Sequence, residues 1–86
     1  MKVIFKKDFI KQYGKLQKHQ KKKVDATIDI FENNPFDIHL KNHPLSGDLE
    51  GRRSISVSFD LRIIFTEEGG YITVTMLQVG THNQVY

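Results

Sequence analysis

The spacing of apolar residues changes once along this 86-residue chain, and the change limits what it can fold into. In the first part they recur at helical intervals: Phe9, Tyr13 and Leu16 form one stripe, and Val24, Ile28 and Phe31 a second. From Arg53 the interval shortens toward two, with Ile55, Val57 and Phe59 alternating against Ser54, Ser56 and Ser58. Leu61–Thr66 is a continuous apolar run broken by Arg62. In the next segment, residues 71–79, Ile72, Val74 and Met76 alternate against Thr73, Thr75 and Leu77. Helices followed by strands predict an antiparallel sheet with two helices packed on one face.

Local signals fill in the order β-α-α-β-β-β. Val3-Ile4-Phe5 reads as a short first strand, and Asp8 is placed to cap the helix that follows. Gly14 weakens that helix without stopping it, so the turn between the two helices is expected within Lys18–Lys23. Asn33-Asn34-Pro35 ends the second helix, and Glu67-Glu68-Gly69-Gly70 is a tight turn between strands. Residues 35–52 form a long connection with Pro35, Pro44, Gly47 and Gly51, and a connection of that length in a small domain points to function. The expectation is an α+β domain spanning residues 1–86, with about four antiparallel strands. A chain of this size buries somewhat more than ~60% of its extended surface, which leaves a single modest core.

The absence of cysteine excludes disulfides and thiolate metal ligands. The apolar run within Met1–Lys7 is too short for a signal peptide or a membrane span, so a cytoplasmic protein without a membrane partner is expected. Net charge is only +3, but it is unevenly distributed. Residues 1–23 carry nine lysines against Asp8, residues 24–51 carry six acids against Lys41, and residues 52–86 are balanced. Lys7, Lys11, Lys15, Lys18 and Lys22 fall on a helical period and form a candidate ridge for nucleic-acid phosphates. The competing reading is a solvated helix face.

The second half contains groups suited to cutting RNA without metal. That chemistry needs a base for the 2′-hydroxyl, an acid for the departing 5′-oxygen, and a cation for the crowded phosphate. Histidine matches both proton roles near neutral pH, and arginine offers a planar fork to the phosphate. His43, Asp60 and His82 supply proton-transfer groups, Arg53 and Arg62 supply guanidinium groups, and Tyr86 supplies an aromatic ring that can stack a base. Four of these have a structural alternative. Arg62 can pair with Asp60, His43 can serve the loop, His82 can be an exposed tail residue, and Tyr86 can simply pack the last strand. His19 reads as a surface residue. His39 and His43 have a zinc-like spacing but no further ligands nearby, so no metal or cofactor is expected.

With these residues in place, the chain resembles the RelE/ParE superfamily of bacterial toxin–antitoxin toxins. Leu45, Gly47, Leu49, Gly51 and Arg53, then Asp60-Leu61-Arg62-Ile63-Ile64-Phe65, carry the resemblance over nearly the whole length. His43-Pro44-Leu45-Ser46-Gly47 and Gly80-Thr81-His82 with Tyr86 resemble the YafQ branch more narrowly. The resemblance implies a sheet backed by two helices, and a ribosome-dependent, metal-independent mRNA endonuclease neutralised by a cognate antitoxin. It assigns His82 as general acid or base, has His43 and Asp60 share the complementary role, and places an aromatic group at Tyr86. Arg62 corresponds to an arginine of the RelE branch. Two positions depart from the YafQ pattern: Ser56 replaces a strand histidine, and Leu61 an aromatic residue. Two alternatives accompany this reading, a ParE-like inhibitor of DNA gyrase and an RNA- or ribosome-binding module with a weakened catalytic site.

Overall fold

The computed structural model describes Met1–Tyr86. The elements run β1 (Lys2–Phe5), α1 (Lys7–Gly14), α2 (Lys18–Asn33), β2 (His43–Pro44), β3 (Arg53–Ser56), β4 (Leu61–Glu68), β5 (Thr73–Thr81) and α3 (His82–Val85). Short 3-10 turns at Ile38–Leu40 and Gly47–Leu49 break up the long connection. No helix is long and apolar enough to cross a membrane.

The strands form one five-stranded sheet in the order β1-β5-β4-β3-β2. It is mixed rather than wholly antiparallel, because β1 lies parallel to β5 with Val3 opposite Val74 and Phe5 opposite Met76. The cause is topological. After the helices the chain enters at the opposite edge, and three antiparallel pairings return it to β1 with the same direction. The additional strand, β2, is two residues long, too short to produce a periodic signal.

Both helical stripes pack as their spacing predicts. Phe9, Val24 and Phe31 are buried in the core, with Tyr13, Leu16 and Ile28 partly buried against it. The break between helices comes earlier than expected, at residues 15–17. Gly14 ends α1, and the Gln17 N–H bonds the Gln20 Oε1 at 2.9 Å to start α2, so residues 18–23 are helical. Asp8 is not the cap. The strand runs on until the Lys6 N–H bonds the Met76 carbonyl, which makes Lys6 the capping residue and puts Asp8 in the first turn, where the helix dipole favours a carboxylate.

Ile55, Ile63, Phe65, Val74, Met76 and Val79 face the helices. The Phe31 and Phe65 rings meet edge to face with centroids 4.9 Å apart, and Tyr71 and Phe36 extend the aromatic cluster. A bulge in β5 maintains this packing: Phe65 pairs with Met76 but Ile64 with Gln78, so Leu77 is the extra residue. Two segments differ from simple alternation. The turn after Glu68 continues through Tyr71, which adopts φ 71°, so β5 begins at Thr73. β3 stops at Ser56, leaving Phe59 97% exposed while Ser54 is fully buried.

Phe31→Ala removes the ring joining α2 to β4 and is expected to cost about 3–5 kcal/mol. A urea titration followed by circular dichroism measures the loss as a lower midpoint.

Candidate active site

The site forms on the sheet face away from α1 and α2. Side chains alternate along a strand, so His43, Ser54, Ser56, Arg62, Ile64, Gln78 and Gly80 share that face through the pairings His43–Ser54, Ser54–Ile64, Ile64–Gln78, Ser56–Arg62 and Arg62–Gly80. The C-terminal segment folds back over it. α3 packs against β4 and β5 and buries Val85. Gly80 permits this approach: a Cβ there would lie 2.8 Å from Gln84 Oε1 and 3.2 Å from Val85 Cγ1. The Gln84 Oε1 also accepts the Thr81 N–H at 2.8 Å, which sets the turn into α3.

Tyr86 then reaches across to β3, where its hydroxyl donates to the Ser54 Oγ at 2.6 Å. This bond accounts for the buried serine that alternation placed in solvent. The His82 ring meets Tyr86 nearly edge-on, with centroids 4.2 Å apart and planes at 71°, and the rest of the imidazole is exposed. Anchoring Tyr86 therefore gives the preceding histidine a fixed surface to rest against.

His43 enters from the other side of Ser54, its partner on β3. Its Nδ1 lies 2.8 Å from the Lys41 carbonyl, which can only accept, so Nδ1 carries the proton and Nε2 is the free acceptor of the neutral ring. Lys41 holds φ 51°, and Asn42 ties this approach to the core. The Asn42 Nδ2 donates to the Pro35 carbonyl and to the Tyr71 hydroxyl oxygen, each at 3.0 Å.

The two candidate arginines separate. Arg53 is opposite Phe65 on the helix-facing side; its Nε donates to Asn42 Oδ1 at 2.8 Å and its guanidinium lies 5.7 Å from the Phe36 centroid. It braces the segment that carries His43. Arg62 stays on the site face. Its Nη1 donates to the Ser58 carbonyl at 2.7 Å and the Ser56 Oγ at 3.2 Å, while its Nε and Nη2 make no bond within the protein. No carboxylate lies within 4.0 Å of it, so Asp60 is not its partner. Asp60 itself stands exposed on the β3–β4 turn without a hydrogen bond or ion pair, and the structure does not bring it into contact with either histidine.

The lysines do not form one continuous helical ridge. Lys7 and Lys11 follow an exposed row along α1 with Lys15 just past its end, Lys18 and Lys22 form another on α2, and the break at residues 15–17 turns one away from the other. His19 is exposed. His39 bonds Asp37 at 3.0 Å, and its backbone N–H and ring hold that carboxyl below the ordinary aspartate range. No three His, Cys, Asp or Glu side chains cluster to hold a metal ion. Ser54, Asn42 and Gly80 were not singled out from the sequence as site residues. Only Gly80 carried a signal, as part of the Gly80-Thr81-His82 ending.

Solved structures of bacterial toxins share this fold. YafQ from E. coli superposes with a TM-score of 0.83 at 22% identity, covering 98% of this chain and 96% of that one. A YoeB/ParE toxin from Agrobacterium tumefaciens gives 0.79 at 21% identity, covering 95% and 99%. The E. coli DinJ–YafQ toxin–antitoxin complex gives 0.79 at 22%, covering 98% and 94%. No curated protein matches the chain. The sequence model for the bacterial toxin of the type II toxin–antitoxin system, YafQ, matches residues 1–86. The chain belongs to the YafQ toxin family.

Tyr86→Phe leaves the buried Ser54 hydroxyl without its partner and is expected to lower stability by about 1–3 kcal/mol. Denaturant unfolding measures it, and release of the tail from Ser54 should also make residues 82–86 more susceptible to carboxypeptidase.

Proposed function

We propose that this protein is the toxin of a type II pair and cleaves mRNA on the ribosome. The observation that carries the reading is the anchored tail: the Tyr86–Ser54 bond holds His82 on the same sheet face as His43 and Arg62. These groups supply two proton carriers and a cation, the set that phosphodiester cleavage by a neighbouring hydroxyl requires.

In this mechanism His43 Nε2 accepts the proton of the ribose 2′-hydroxyl. The 2′-oxygen attacks phosphorus, giving a 2′,3′-cyclic phosphate as the bond to the 5′-oxygen breaks. Protonated His82 donates to that departing oxygen. The free Nε and Nη2 of Arg62 hold the crowded phosphate, while its engaged Nη1 keeps the guanidinium in place. Asp60, exposed on the β3–β4 turn without contact to either histidine, carries no step in this scheme. Tyr86 orients His82 and offers its exposed ring surface to a base.

Ser56 has a consistent place in this scheme. It stands where the YafQ pattern has a histidine, and here its hydroxyl accepts from Arg62, its partner across β3 and β4. The site thus exchanges an imidazole for a positioned guanidinium, with phosphate stabilisation compensating for one less proton carrier. The lysine rows on α1 and α2 contact ribosomal RNA phosphates. A cognate antitoxin neutralises the toxin; the E. coli relative YafQ forms a toxin–antitoxin complex with DinJ.

Primer extension on an actively translated message tests the reading. Wild type should give discrete cleavage, and His82→Ala should reduce it by about 10²–10⁴ with ribosome binding retained. Absence of wild-type cleavage, or full cleavage by His82→Ala, overturns the nuclease or the assignment respectively. Inhibition of DNA supercoiling without effect on translation would instead select a gyrase-directed toxin.

A further inference from the structure

A second basic feature shares only Lys7 with the lysine rows. Lys6, Lys7 and Arg52 line a cleft of about 330 Å³, together with Asp8, Leu77 and Gln78. Three distant segments meet there: the junction of β1 and α1, the residue before β3, and the bulge of β5. None of the three cations has a carboxylate within 4.0 Å, although Asp8 lines the same cleft. The Gln78 amide makes no bond within the protein and adds a neutral donor. An unpaired cluster of this kind, two ammonium groups and a guanidinium fork around an amide, suits a phosphate.

The position narrows the ligand. Gln78 shares its face with Gly80, the β5 partner of Arg62, two residues along the same strand. The strand rise puts these positions about 7 Å apart. We propose that Lys6, Lys7, Arg52 and Gln78 bind a phosphodiester of the RNA flanking the one being cleaved. The inference rests on the nuclease reading and deepens it: the cleft sets the path of the message across the sheet, and Arg62 and the histidines act at its end.

The test pairs a salt series with a residue-specific readout. The probe is a fluorescein-labelled oligoribonucleotide with 2′-deoxyribose at the cleavable step, and its affinity is measured by anisotropy. If the K6Q/R52Q double variant neutralises one phosphate fewer than wild type, its slope of log affinity against log salt should fall by about 0.7, whereas Arg52→Lys should retain the wild-type slope. Titration of ¹⁵N-labelled wild type with the same probe should shift the Lys7 and Gln78 amides. On ribosomes the double variant should show a raised KM with kcat retained. An unchanged slope, or the absence of amide shifts at Lys7 and Gln78, overturns the cleft, even where wild type cleaves. A double variant that loses antitoxin affinity with its RNA slope intact also overturns it and assigns the cleft to an acidic protein segment. A reduced slope for the double variant, where wild type itself cuts no message, retains the phosphate site and removes the nuclease.

Discussion

The hydrogen bond from Tyr86 to Ser54 closes the open side of the sheet, and the arrangement of the candidate site depends on it. A serine hydroxyl with no access to water needs a partner, since an unmade bond in that position costs about 1–3 kcal/mol. The phenol is the only side chain that supplies it, from 32 residues further along the chain. Because α3 is a single turn of helix, it has little stability of its own. Burial of Val85, the close approach allowed at Gly80, and the Tyr86 anchor hold it together, and His82 is positioned as a consequence.

The two arginines show how one residue type takes separate roles in a small domain. Arg53 and Arg62 are on adjacent strands, yet alternation sends them to opposite faces. Arg53 lies among aromatic and amide groups, where its flat guanidinium covers Phe36 and its Nε fixes Asn42. Arg62 interrupts an apolar run without an ion pair, and its charge is met by the Ser58 carbonyl of the neighbouring turn and the Ser56 hydroxyl of β3. Its Nε and Nη2 remain free, which leaves one side chain both structural and available to a phosphate. Ser56 makes this possible because its side chain is small enough to sit directly across from the guanidinium and polar enough to accept from it.

Much of the fold was legible in the sequence because its determinants are local and periodic. Phe9, Val24 and Phe31 revealed the helix faces, and Ile55, Val74 and Met76 the sheet interior. The resemblance, resting on Asp60–Phe65 and the Gly80-Thr81-His82 ending, reached the family that the matching sequence model then established. The errors occurred where a distant contact outweighed a local preference. Asp8 lost the cap to Lys6 because β1 runs further along β5. Ser54 went inside because a residue at the far end of the chain covers it. The parallel pairing of β1 depends on the number of strand reversals after the helices, and no local pattern records that number.

By itself, the sequence determined which segments are helical or extended, which faces are apolar, the uneven placement of charge, and the residue types available for proton transfer. Those properties follow from side-chain size, polarity and spacing along a regular backbone. Only the tertiary structure decided that His43, Arg62 and His82 share a face while Arg53 does not, that Asp60 stands apart, and that the lysines divide between two helices with Lys6 and Lys7 turned toward Arg52. The reason is geometric: strand pairing and the folding back of α3 set distances between residues far apart in the chain, and a local sequence pattern does not contain those distances.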